Sequence, residues 1–133
     1  MNGISGNVDM NAFGNREYVN PAAHWVTRNG QKYWQDADGT YARGKEIFDP
    51  DSNAWYWIDS NGVMACNKDV YLRSNGGKWV RYDRSTGKMV KGLHKQNGAW
   101  YYFDETTGAM AHGRTWVPEW EEWHTFDTIT GRG

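Results

Sequence analysis

The chain has 133 residues, a formal net charge of −1 from 15 basic and 16 acidic side chains, and a single cysteine. So even a balance gives no field for gathering nucleic acid, one thiol excludes an internal disulfide or a cysteine-based metal site, and no run approaches the ~18 apolar residues of a membrane span. Leu, Ile, Val and Phe together number only 18, but nine Trp and eight Tyr supply large apolar area at almost no net charge, so an ordered chain is expected.

Residues 1–21 differ in pattern from the remainder of the chain. Gly3-Ile4-Ser5-Gly6-Asn7-Val8-Asp9-Met10-Asn11 reads as a short strand bounded by glycines, and Asn15 to Pro21 as a linker. There is no charged start followed by an apolar stretch, so no signal peptide is read. Residues 22–133 repeat. Tyr33-Trp34 runs to Asp36 and Gly39, Trp55-Tyr56-Trp57-Ile58-Asp59 to Gly62, Trp79 with Tyr82-Asp83 to Gly87, Trp100-Tyr101-Tyr102-Phe103-Asp104 to Gly108, and Trp123 with Phe126-Asp127 to Gly131. Successive aspartates are 23, 24, 21 and 23 residues apart, a period that marks a stacked repeat protein. An aspartate that returns five times at one place is expected to be structural rather than catalytic.

Each repeat reads as a β-hairpin. In the fourth, Asn97-Gly98 separates two strand-like runs, and a type I′ turn needs positive φ at both central residues. Asn61-Gly62 instead comes after the aromatic strand and is expected in a connection. Side chains alternate faces along a strand, so Trp100 and Tyr102 oppose Tyr101 and Phe103, and both faces are aromatic. A hairpin of some 20 residues cannot bury two apolar faces alone, so neighbours must stack. Met64, Met89 and Met110, with Tyr41 in the first unit, come after the repeat glycine and are expected to fill gaps. Gly44, Asn67, Gly92 and Gly113 come three residues later, where a tight corner favours the left-handed conformation. The expected fold is all-β, an elongated solenoid of about five stacked β-hairpin repeats, with Tyr56, Ile58, Tyr101 and Phe103 in the core.

The tract Leu93 to Gly113, with Asn97-Gly98-Ala99-Trp100-Tyr101-Tyr102-Phe103-Asp104, Gly108-Ala109-Met110 and Gly113, resembles the choline-binding or cell-wall-binding repeat of Gram-positive surface proteins, autolysins and phage lysins. Looser copies extend from about Trp25 to the C-terminus. The resemblance implies ligand sites between neighbouring hairpins. Each is lined by an aromatic opening one repeat, one from its second strand and one from the second strand of the next repeat. On this sequence the cages are Trp25 with Tyr33 and Trp55, Phe48 with Trp55 and Trp79, and Tyr71 with Trp79 and Trp100. The fourth opening position falls on Leu93, which has no π-face for a cation. The implied partner is a Gram-positive cell-wall polymer, either a choline-bearing teichoic acid or a wall glycan, met at the wall outside the cell; no cofactor is implied. Trp116, Trp120 and Trp123, at the end of the array, are expected to suit pairing with a second copy.

The Val8-Asp9-Met10-Asn11 tract resembles the closing strand of glycoside hydrolase family 25 muramidases. That resemblance implies a module at the end of a peptidoglycan hydrolase. Within the chain no catalytic residue stands out, because glycoside hydrolysis needs two carboxylates flanking one bond. Asp9 has no partners, and the remaining pair, Glu119 and Glu121, is expected to share one face of a strand as a solvated or cation-attracting rim. A glycan-hydrolysing fragment using these residues is the enzymatic alternative. His24, His94, His112 and His124 fit no metal-ligand spacing.

Overall fold

The structure, a computed structural model, describes residues 22–133. The expected strand at Gly3–Asn11, the linker and the muramidase-like tract lie outside the described residues. Ten five-residue strands pair consecutively into five antiparallel hairpins: β1 (His24–Arg28) with β2 (Gln31–Gln35), β3 (Lys45–Asp49) with β4 (Ala54–Ile58), β5 (Lys68–Leu72) with β6 (Lys78–Tyr82), β7 (Gly92–Gln96) with β8 (Ala99–Phe103), and β9 (Gly113–Val117) with β10 (Glu122–Phe126). The all-β repeat expectation holds. The sole helical element among the described residues is a 3₁₀ turn at Ser74–Gly76. The chain forms two compact units that divide after Met64, so β1–β4 belong to the first and β5–β10 to the second.

Three kinds of loop close the hairpins. Arg28 pairs with Gln31 and Gln96 with Ala99, leaving two-residue loops at Asn29-Gly30 and Asn97-Gly98. Their φ values of 51° and 78°, and of 51° and 76°, are those a type I′ turn demands. The second and fifth hairpins have four-residue loops, 50–53 and 118–121, ending on Asn53 and Glu121 at positive φ. The third has five residues, 73–77. Glu119 and Glu121 therefore lie in a turn, not on a strand as expected. The Glu119 carboxylate accepts a hydrogen bond from the Leu93 amide at 3.3 Å, a structural role.

The repeated aspartate heads the connection leaving each hairpin. In every repeat its carbonyl accepts from the repeat glycine, as in Gly39 to Asp36 at 2.9 Å and Gly108 to Asp104 at 2.9 Å. In the last three repeats the side chain also works: Asp83 accepts from the amides of Ser85 and Thr86, Asp104 from Thr106 and Thr107, and Asp127 from Ile129 and Thr130. These donors, with the Thr86, Thr107 and Thr130 amides foremost, hold the three carboxyls below the usual carboxylate range. In the first two repeats the connection is one residue shorter, and Asp38 and Asn61 take over, accepting from Thr40 and Val63.

Residues after each connection bridge back to the strand just left: Tyr41 to Gln35, Met64 to Ile58, Met89 to Tyr82 and Met110 to Phe103. Met89 and Met110 then pack on the glycine of the next connection. A Cβ at Gly108 would stand 2.5 Å from Met89 Sδ, and one at Gly131 2.5 Å from Met110 Sδ. The repeat glycine thus supplies clearance as well as positive φ. Single backbone hydrogen bonds join successive hairpins, from Met64 to the Lys32 carbonyl, Met110 to Trp79 and Gly133 to Trp100.

Within each unit adjacent hairpins share a core, as the two-faced aromatic pattern requires. In the first unit Trp34 packs with Ile47, Tyr56 and Ile58; in the second Tyr102 packs with Val117 and Phe126. Tyr56, Ile58 and Phe103 are buried as expected. Tyr101 is not: it is half-buried opposite His94, while Tyr102, opposite Leu93, takes the core place under the fifth hairpin.

Candidate aromatic ligand site

Opposed residues of an antiparallel pair share a face, so register decides which aromatics meet. Phe48 stands opposite Trp55, Tyr71 opposite Trp79 and Trp116 opposite Trp123. Their ring centroids are 5.2, 5.4 and 5.7 Å apart. All six rings face solvent, at 39% and 39%, 46% and 43%, and 44% and 52% exposure, although nearly every other large apolar side chain among the described residues is covered. Exposed aromatics thus recur on the same rung of three hairpins, a ladder in register and sequence order outside the buried core.

Trp25, Tyr33 and Trp55 do not come together as a cage. Trp25 pairs with Trp34, and Tyr33 with Val26 on the opposite face. The Trp25 ring sits edge-on to Trp34 at 5.0 Å and to Tyr56 at 4.9 Å, and its indole donates to Asp49 at 3.0 Å. Tyr33 lies edge-on to Tyr41 with the Arg28 guanidinium 5.9 Å from its centroid. Of the second expected cage, Phe48 and Trp55 meet in the first unit and Trp79 belongs to the second. Of the third, Tyr71 meets Trp79, but Trp100 packs edge-on to Trp120 at 5.6 Å, with Lys95 Nζ 5.6 Å from its ring centroid.

Loop length explains these departures. A fixed seven or eight residues between the opening and second-strand aromatics suits loops of four or five residues. The first and fourth hairpins turn in two, which brings the cross-strand partner closer along the chain. The rung equivalent to Phe48–Trp55 is therefore Lys95–Trp100 in the fourth hairpin, so Lys95 rather than Leu93 interrupts the ladder. In the first hairpin that rung is Thr27–Lys32 and carries no aromatic. Conversely, Trp116–Trp123 is a complete exposed rung, a pair that sequence pattern alone assigned only to self-association.

Tyr71 and Trp79 are the best-defined rung. A Cβ at Gly77 would overlap the Tyr71 hydroxyl, so the glycine after the 3₁₀ turn lets that ring lie over the loop. Two residues before Tyr71 and on its face, Asp69 is bridged by Arg81 at 3.0 Å. Asp69 and Trp79 line a cavity of about 190 Å³ with Met110, His112, Ile129 and Thr130. An indole, a thioether and a carboxylate around one space suit an organic cation. A second cavity, of about 400 Å³, sets Arg81, Arg84 and Lys95 against the single carboxylate of Asp83, a net positive lining that disfavours such a ligand. Among the described residues no group of three or more His, Cys, Asp or Glu side chains is disposed to hold a metal ion, and no helix is long and apolar enough to cross a membrane.

Hairpin repeats that expose aromatic rungs define a surface-binding repeat module. Residues 71–116 match the choline-binding repeat and residues 51–64 a cell wall binding repeat. The fold is similar to that of choline binding protein F from Streptococcus pneumoniae, with a TM-score of 0.63 and 23% identity over 90% of this chain and 39% of that one. It is also similar to the multimodular pneumococcal cell wall endolysin from phage Cp-1, solved with choline, at a TM-score of 0.55 and 25% identity over 74% of this chain and 28% of that one. The chain thus spans about two fifths or less of these structures. Comparison with curated proteins gives no match.

Proposed function

We propose that this chain is a non-catalytic module that carries a peptidoglycan hydrolase to a Gram-positive cell wall. On this reading the Phe48–Trp55 and Tyr71–Trp79 rungs hold quaternary ammonium groups of a choline-bearing wall polymer. The carrying observation is the pair of exposed, in-register rungs, of which Tyr71 and Trp79 lie in the segment that matches the choline-binding repeat and Trp55 in the segment that matches the cell wall binding repeat. A quaternary ammonium cannot donate a hydrogen bond and is drawn to aromatic faces, each contact contributing about 0.5–2 kcal/mol. Two such rungs give modest affinity singly. On a polymer that repeats its ligand, effective concentration multiplies them, an advantage that an array offers and a single site does not. The wall outside the cell is the proposed place of action, and the similarity to a phage endolysin favours a lytic parent enzyme.

Choline titration followed by the indole NH resonances of Trp55 and Trp79 tests the reading. Both should shift saturably, and Tyr71→Ala should abolish the response of Trp79 while leaving Trp55 responsive. Because the Tyr71 side chain is exposed, unfolding stability should change by less than about 1 kcal/mol. Absence of any saturable shift in either indole would remove the ammonium assignment.

A further inference from the structure

The rung of the fifth hairpin differs from the other two in the charge beside it. Side chains two apart on a strand share a face, so each rung has a neighbour two residues before its first aromatic. That neighbour is Glu46 beside Phe48, Asp69 beside Tyr71 and Arg114 beside Trp116. Arg114 stands opposite Thr125, two rungs from the tryptophans and on their face, and its guanidinium lies 4.3 Å from the Trp123 ring centroid. At that distance it already occupies an aromatic face and adds positive charge to the site. A quaternary ammonium brought to Trp123 would lose that face and meet a like charge.

We infer that Arg114, Trp116 and Trp123 form a separate binding site for a carboxylate-bearing sugar ring. Trp116, 44% exposed, presents an apolar face on which the C–H face of a pyranose can stack, beside the Trp123 face that Arg114 covers. The Arg114 guanidinium, held over Trp123, presents its N–H donors to a carboxylate, and an arginine pairs with a carboxylate through two parallel hydrogen bonds. This fork selects an acidic ring over a neutral one, and the guanidinium seated on Trp123, rather than the net charge of a hairpin that also carries Glu119, Glu121 and Glu122, keeps choline off that face. The chain would then read two different wall components: a cation on the rungs flanked by Glu46 and Asp69, and an acidic glycan on the rung flanked by Arg114. This inference is independent of the ammonium reading, because it uses a different hairpin and a ligand of opposite charge.

The test monitors the Trp123 indole resonance of the whole chain during titration with N-acetylmuramic acid, with N-acetylglucosamine as its uncharged counterpart, and with choline. The muramic acid should shift Trp123 saturably and bind at least tenfold more tightly than the uncharged sugar, while choline leaves Trp123 unmoved. Arg114→Glu should reverse the order, losing the acidic sugar and making Trp123 responsive to choline; Arg114→Gln should equalise the two sugars. Since Arg114 is exposed, these variants should keep the native spectrum elsewhere. Equal binding of both sugars, a choline response at Trp123 in the unaltered chain, or a Trp123 shift that tracks protein concentration without ligand would overturn the inference. The last result would assign the rung to a second copy of the chain. A silent Trp55 and Trp79 beside a responsive Trp123 would remove the choline reading and leave this one standing.

Discussion

The third and fourth hairpins share one backbone plan and differ in one rung. Tyr71 faces Trp79 in the third, whereas Lys95 faces Trp100 in the fourth. The fourth is the better copy of the repeat by motif, with its Asn-Gly turn and unbroken Trp-Tyr-Tyr-Phe-Asp strand. The third has an irregular five-residue loop and only one aromatic before Tyr82 on its second strand. Yet the third carries the exposed aromatic pair, and the fourth lays a lysine on its tryptophan. Agreement with the motif reflects the demands of stacking one hairpin on another. On the proposed reading, ligand capacity depends on a single cross-strand pair that the motif does not contain.

If stacking and binding are separable in this way, substitutions in the core should cost stability wherever they fall. Phe126, fully buried against Tyr102 and Val117, should show the largest effect. Phe126→Ala should lose about 3–5 kcal/mol in chemical denaturation, because it opens a large cavity under the fourth hairpin. The choline response of Trp79 should survive in the folded fraction. A loss below about 1 kcal/mol would mean that the hairpins stack without a shared core.

The connections should show an intermediate effect that depends on pH. Asp104 accepts two backbone amides, from Thr107 and Thr106, and these hold its folded carboxyl below the usual carboxylate range. A depressed carboxylate contributes stability that is fully present above the unfolded pKa and is lost as pH falls through the folded one. Asp104→Ala should therefore cost about 1 kcal/mol near neutral pH, with the gap to the unaltered chain closing below about pH 4, where the unfolded carboxyl takes up its proton. Asp104→Asn, which keeps an acceptor but no charge, should recover part of the loss and flatten its pH dependence. Thermal unfolding over an acid series gives both curves. A gap that persists undiminished into strong acid would show that the charge plays no part in the turn.

The fold was legible because it repeats. Five aspartates at near-constant spacing, and Asn29-Gly30 and Asn97-Gly98 at positive φ, fix hairpins whatever surrounds them. Burial was legible where a residue's face is dictated by strand alternation, as for Phe103 and Ile58. It was misjudged for Tyr101 and left open for Tyr102, since both faces of that strand are apolar and alternation cannot say which face a neighbour covers more fully. The site was harder to read because register depends on loop length. Counting back from Trp100 by the spacing of the second and fifth hairpins reaches Leu93, whereas a two-residue turn puts Lys95 opposite. The same count placed Trp25 with Tyr33, on opposite faces of one hairpin. The signal was present in the positions of Asn29-Gly30 and Asn97-Gly98, which announce the shorter loops.

The smallest expected change in stability gives the sharpest test of that register. Lys95 is exposed and its cation lies 5.6 Å from the Trp100 centroid, so Lys95→Tyr should alter unfolding stability by less than about 0.5 kcal/mol. It should also give the fourth hairpin the aromatic pair its sequence otherwise lacks, at the rung where Tyr71 meets Trp79 in the third. The Trp100 indole should then become choline-responsive, and the number of choline equivalents bound should rise by one. Leu93→Tyr is the matched control. It stands opposite Tyr102 and packs against the core of the fourth and fifth hairpins, so it should create no choline response at Trp100 and should cost stability through overpacking. If Leu93→Tyr rather than Lys95→Tyr made Trp100 responsive, the pairing of the fourth hairpin would have to slip by two residues and its aromatic rung would have to be redrawn.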